Sequence, residues 1–171
     1  MLKYTDYDVV FQEIPDEVTL AVNIAGCPNR CPGCHSPQLQ QEIGEPLTPA
    51  VLAELLERYG DAVTCLCLMG GDGDPAEVAR LAAAARTLRR GLRTAWYSGC
   101  TELPPHFPAG TLDYVKLGPY VAALGGLRSP TTNQRLYRLE ADGSRTDLTA
   151  RFTRRRPAAH AATRRHAARA P

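Results

Sequence analysis

The sequence predicts an α/β protein built on a parallel sheet. Short β-branched or apolar runs alternate with stretches of helical spacing, and each helical stretch carries its own start and stop signals. That alternation is the pattern of βαβ units with right-handed crossovers.

The elements follow in order. Residues 18–24 (VTLAVNI) read as a strand that runs straight into AGCPNRCPGCHSP, where the Gly and Pro content excludes regular structure. Thr48 and Pro49 form an N-cap and first-turn pair, VLAELLERY continues at helical spacing, and Gly60 offers the stop. Residues 63–69 (VTCLCLM) read as a buried-type strand ending in GGDGD. Asp74, Pro75 and Glu77 then supply the cap, first and third positions of a helix reaching about Arg90, with Gly91 behind it. Residues 93–97 (RTAWY) and 114–117 (YVKL) are two further strands, each followed by a Gly-containing turn. The stretch RLYRLEADGSRTDLT, residues 135–149, predicts a short C-terminal hairpin around Ala-Asp-Gly-Ser.

At 171 residues the chain has the length of one domain, assigned to residues 1–150. Residues 151–171 form an Arg/Ala-rich tail with seven Arg and no acid, so the net charge of +2 leaves −5 on residues 1–150. The tail has little large apolar surface to anchor it and is expected to be disordered. A hydrophobic fraction of 44% and a charged fraction of 22% fit a soluble protein, and no apolar run approaches the roughly 20 residues that span a bilayer. The N-terminus lacks the unbroken apolar stretch of a secretory signal, so a cytoplasmic location is expected.

Six cysteines are present, and three of them, Cys27, Cys31 and Cys34, crowd into eight residues of one loop as C-x3-C-x2-C. That spacing suits a metal centre in a reducing compartment better than a disulfide scaffold. Structural zinc wants four ligands, usually from two paired knuckles, and the sequence has no second knuckle; His35 adjoins Cys34 too closely to ligate with it easily. An electron-transfer cluster also needs a fourth ligand that the loop does not offer. Three thiolates on a [4Fe–4S] cube leave one iron open, and an open metal position is a substrate position. Cys65 and Cys67 alternate onto one face of their strand and read as buried thiols.

The cysteine loop CPNRCPGCHSP, residues 69–75 as MGGDGDP, 95–99 as AWYSG and 133–137 as NQRLY together resemble the radical S-adenosylmethionine superfamily. Within it they resemble the glycyl-radical-enzyme activase branch, most closely the activating proteins of anaerobic ribonucleoside-triphosphate reductase. The resemblance covers about residues 1–150 and implies an open partial (β/α) barrel of the radical SAM type. A chain this short, with about four or five strands, does not suffice for the eight-stranded closed barrel of typically ~250 residues.

The resemblance also implies the site. Cys27, Cys31 and Cys34 would hold one [4Fe–4S] cluster per chain, whose open iron is chelated by the amine and carboxylate of S-adenosylmethionine. The turn Gly70, Gly71 and Asp72 would receive the amine, the glycines allowing close backbone approach. Gly33 and His35, flanking Cys34, would line the adenine side. Ser98 and Gly99 end a strand at the sheet edge where ligands of parallel sheets gather, and Ser98 is a candidate ribose contact. Lys116 reads either as a carboxylate contact or as a solvated lysine. The implied reaction is reductive cleavage of S-adenosylmethionine to a 5′-deoxyadenosyl radical, with no protein acid or base. That radical would take hydrogen from the Cα of one glycine in the large subunit of the reductase, with a flavodoxin-like or ferredoxin-like partner supplying the electron. Two other readings stay open: a radical enzyme acting on a small molecule, and a binding protein working through its Arg-rich tail with a structural cluster. The tail lacks the aromatics that stack on bases, which argues against nucleic acid.

Overall fold

A computed structural model describes residues 1–153, and the expected disorder of the tail falls on residues 154–171, outside the described residues. The fold is α/β, with one open eight-stranded sheet. Its strands are β1 (Lys3–Val10), β2 (Thr19–Ile24), β3 (Glu45–Pro46), β4 (Cys65–Met69), β5 (Arg93–Tyr97), β6 (Tyr114–Leu117), β7 (Arg135–Leu139) and β8 (Arg145–Asp147), and its helices are α1 (Pro49–Tyr59), α2 (Pro75–Leu88) and the one-turn α3 (Ala150–Thr153). The order across the sheet is β3-β1-β2-β4-β5-β6-β7-β8, with β2, β4, β5 and β6 parallel and the flanking strands antiparallel.

Four strands, two helices and the terminal hairpin form where the sequence pattern places them. Both long helices are capped as the sequence predicts: Thr48 Oγ1 accepts from Val51 N at 3.3 Å and Asp74 Oδ1 from Glu77 N at 3.1 Å, each followed by proline in the first turn. The count of four or five strands falls short. β1 carries Lys3, Asp6 and Asp8 among its apolar residues and is only half-buried, so its period is weak; β3 is two residues long. Residues 151–153, grouped with the tail by composition, form α3 with Ala150, and the Arg151 guanidinium pairs with Asp16 at 2.7 Å.

Two apolar layers fix the sheet. On one face α1 and α2 pack Leu52, Leu55, Leu56, Val78 and Leu81 onto Leu20, Val22, Leu66, Leu68 and Trp96. The other face carries Cys65, Cys67, Ala95, Tyr114 and Leu136, covered by Ile14 and edged by Leu148 and Phe152. Strands buried on both faces read as continuous apolar runs, which is why VTCLCLM shows no alternation. Asp113 ties the helical layer to the sheet, accepting from Arg86 at 2.6 Å, Arg93 at 3.0 Å and Thr94 N at 2.8 Å.

Candidate functional site

The parallel register aligns Asn23, Met69, Tyr97 and Lys116 as one rung across β2, β4, β5 and β6. All four line a cavity of about 600 Å³, within the usual range for ligand pockets. The loops leaving the C-terminal ends of these strands close over it, the position where parallel sheets gather ligands.

The cysteine loop follows β2. Backbone bonds from Gly26 N to Gln41 O (3.0 Å) and from Cys27 N to Leu39 O (2.8 Å) clamp its base, and Cys34 N donates to Cys31 O at 3.1 Å. Cys27, Cys31 and Cys34 are free thiols, partly exposed, and all three line the cavity. Among the described residues no three His, Cys, Asp or Glu side chains converge closely enough for a single metal ion, which would need its donors gathered at about 2.3 Å. Three thiols lining one cavity are a donor set that suits a thiolate-held cluster. Ser36 N lies 3.4 Å from Cys34 Sγ and Asn29 Nδ2 lies 3.8 Å from Cys27 Sγ, donors of the kind that tune cluster potentials. Gly33 sits at φ 72°, and the exposed His35 packs its ring on Tyr120 at 4.6 Å between centroids.

The turn after β4 is built for close packing. Gly70 (φ 103°) and Gly71 (φ 90°) lie in backbone regions that favour glycine. A Cβ on Gly70 would meet Ile24 O at 3.0 Å, and one on Gly71 would meet Val78 Cγ2 at 2.8 Å. Gly70 O accepts from Trp96 Nε1 at 2.7 Å and Gly70 N donates to Tyr97 O at 2.9 Å. Asp72 lines the cavity half-buried, but its carboxylate already has three donors: Ser98 Oγ at 2.6 Å, Gly99 N at 2.9 Å and the Asn29 side-chain amide. It therefore ties the cysteine loop to the end of β5. Gly99 belongs to the same tie, since a Cβ there would lie 2.9 Å from Asn29 Cγ. Ser98 also lines the cavity, with its hydroxyl committed to Asp72 and accepting from Cys100 N at 3.0 Å.

Lys116 departs from the solvated alternative. It is buried, and its Nζ donates to Ser98 O at 3.1 Å and Gly118 O at 2.9 Å. Burial lowers its pKa, opposed by the charges of Asp72, Cys31, Cys67 and Cys27. The thiols of Cys65 and Cys67 are buried as expected, and desolvation raises both well above the usual thiol range. Several cavity residues were not singled out from the sequence: Glu13, Tyr120 and Arg128, which lie outside its motifs, and Asn29, which lies within the cysteine loop. The position of Asn29 between two cluster cysteines was the one available signal.

A family model described as a 4Fe-4S single cluster domain matches residues 17–103, a span that holds the cysteine loop, the Gly70–Asp72 turn and Ser98. No curated protein and no solved structure gives a match. Among the described residues no helix is long and apolar enough to cross a membrane.

Proposed function

The chain belongs to the family of 4Fe-4S single cluster domains, and from that premise we propose that it is a radical S-adenosylmethionine enzyme that activates a glycyl-radical partner. The observation that supports this reading is that Cys27, Cys31 and Cys34 all line one ligand-sized cavity. A [4Fe–4S] cluster on these three thiolates would supply an open iron to chelate the cofactor and one electron to cleave its carbon–sulfur bond.

The chain's own residues bind, orient and exclude water. Asp72, Asn29 and Gly99 hold the cysteine loop against β5. Gly70 lines the cavity where the cofactor's amine is expected, Gly71 lies outside that lining and packs the turn against Val78 and Leu2, and the exposed His35 with Tyr120 forms an aromatic rim beside Cys34. Lys116 keeps a cationic group beside the cavity, with two carbonyls holding it in place. No side chain is assigned a proton transfer.

The proposed substrate is one glycine in the large subunit of anaerobic ribonucleoside-triphosphate reductase, and the proposed electron donor is flavodoxin-like or ferredoxin-like. The supporting observations are the motif set and the open sheet, whose edge strands β3 and β8 do not pair with each other. The reading is tested by mixing the reconstituted, reduced protein with S-adenosylmethionine and the reductase subunit and recording electron paramagnetic resonance spectra. A glycyl-radical doublet is expected. Its absence, with a modified small molecule formed instead, would favour a radical enzyme of the other kind.

A further inference from the structure

The cavity that the cysteines line also holds a carboxylate with an unused oxygen. Glu13 lines the cavity, and its Oε2 is buried without a hydrogen-bond partner among the described residues. Two more buried side-chain oxygens share that condition, Thr19 Oγ1 and Asn133 Oδ1, but neither lines the cavity. Leaving a buried carboxylate oxygen unpartnered costs folding free energy, and such a group calls for a functional explanation.

The position of Glu13 is fixed. Its carbonyl accepts from the Tyr97 hydroxyl, and the next residue, Ile14, is fully buried under the sheet. Glu13 stands in the segment leading into β2, whereas the cysteine loop leaves β2 at its other end. Carboxylate and thiols thus reach one cavity from opposite ends of a strand. Burial raises the Cys67 thiol and the Tyr97 hydroxyl, and the charge of Glu13 adds to both shifts, in keeping with a carboxylate beside the middle of β4 and the last residue of β5.

We propose that Glu13 is the substrate-side acceptor of the cavity, taking a hydrogen bond from a backbone N–H of the polypeptide segment that carries the target glycine. This rests on the radical-enzyme reading. A cofactor chelated at the cysteines would sit against the loop that leaves β2, whereas Glu13 comes to the cavity from the segment that enters β2, which leaves Glu13 to the second molecule. A chain presenting glycine has no side chain to offer there, and its donors are backbone amides, which a carboxylate accepts more strongly than a neutral oxygen does.

The test uses the full chain with Glu13→Ala and Glu13→Gln. Without iron or ligand, the thermal midpoint of Glu13→Ala should equal or exceed that of the native chain, because a buried carboxylate oxygen without a partner has been removed. With dithionite as reductant, the reductase subunit concentration giving half-maximal glycyl radical should rise on the order of tenfold or more in Glu13→Ala. Glu13→Gln, whose amide oxygen still accepts, should fall between. The S-adenosylmethionine concentration for half-maximal rate is the control. If that requirement rises instead, Glu13 contacts the cofactor and the proposal is overturned. It is equally overturned if the reductase requirement does not move, or if the midpoint drops and both requirements worsen together. A native chain that makes no 5′-deoxyadenosine would sink the radical reading itself, whereas an active native chain with an indifferent Glu13→Ala sinks only this assignment.

Discussion

Three donors from two loops converge on the Asp72 carboxylate, so the effects of changing it belong at the cysteines. Hydrogen bonds to a charged acceptor are each worth about 1.5–3 kcal/mol at full burial, and Asp72 is only half-buried, so Asp72→Ala should cost roughly 2 kcal/mol in denaturant unfolding. The more specific prediction is a coupling. Gly99→Ala drives a methyl into Asn29, while in the Asn29→Ala background that amide is gone. The Gly99→Ala loss of bound iron should therefore be large alone and small in the double variant, with a coupling energy of about 0.5–3 kcal/mol in the unfolding cycle. Additive effects would mean that the two residues do not share one tie. At this scale the three cysteines were legible because their spacing is dictated by a shared inorganic centre. Asn29 and Glu13 were not, since an Asn inside a turn and a Glu before a strand look like many others until the fold brings them to the cavity.

The turn between β4 and α2 and the twin thiols of β4 carry the predictions for single elements. Gly71→Ala places a Cβ 2.8 Å from Val78 Cγ2 at φ 90°, so both the backbone and the packing oppose it. A loss of about 2–4 kcal/mol in chemical denaturation is expected, against well under 1 kcal/mol for alanine at the half-buried Gly126, where nothing lies within 4 Å of a Cβ and φ is not positive. Cys65 and Cys67 lie under Ile14 with thiols raised by burial, so at pH 8 they hold almost no thiolate. Iodoacetamide should label Cys27, Cys31, Cys34 and Cys100 in the iron-free protein and reach Cys65 and Cys67 only after unfolding, as peptide mass spectrometry would reveal. Labelling of all six at equal rates would contradict this packing. Helices and central strands were readable because caps, prolines and unbroken apolar runs are local signals. β1 and β3 were not, because their pairing partners, β2 for the first and β1 for the second, define them more than their own residues do.

For the whole molecule, the sheet stays open while helices cover one face, and the cavity forms on the other face between the cysteine loop and the segment before β2. Among the described residues, those that line the cavity fall between Gln12 and Phe152. Deleting residues 154–171 should therefore leave iron binding and cofactor cleavage within about twofold of the full chain, as iron analysis and product chromatography would measure. A collapse of both would assign the tail to the site. The α/β class was legible from the alternation of elements; the cavity was not, because it depends on residues as distant as Glu13 and Lys116 meeting across the sheet. The most direct test of the central claim is anaerobic reconstitution with iron and sulfide, reduction with dithionite, and chromatography after adding S-adenosylmethionine. The native chain should release 5′-deoxyadenosine and methionine, and Cys31→Ser should not; no 5′-deoxyadenosine above the protein-free control would contradict the radical-enzyme assignment.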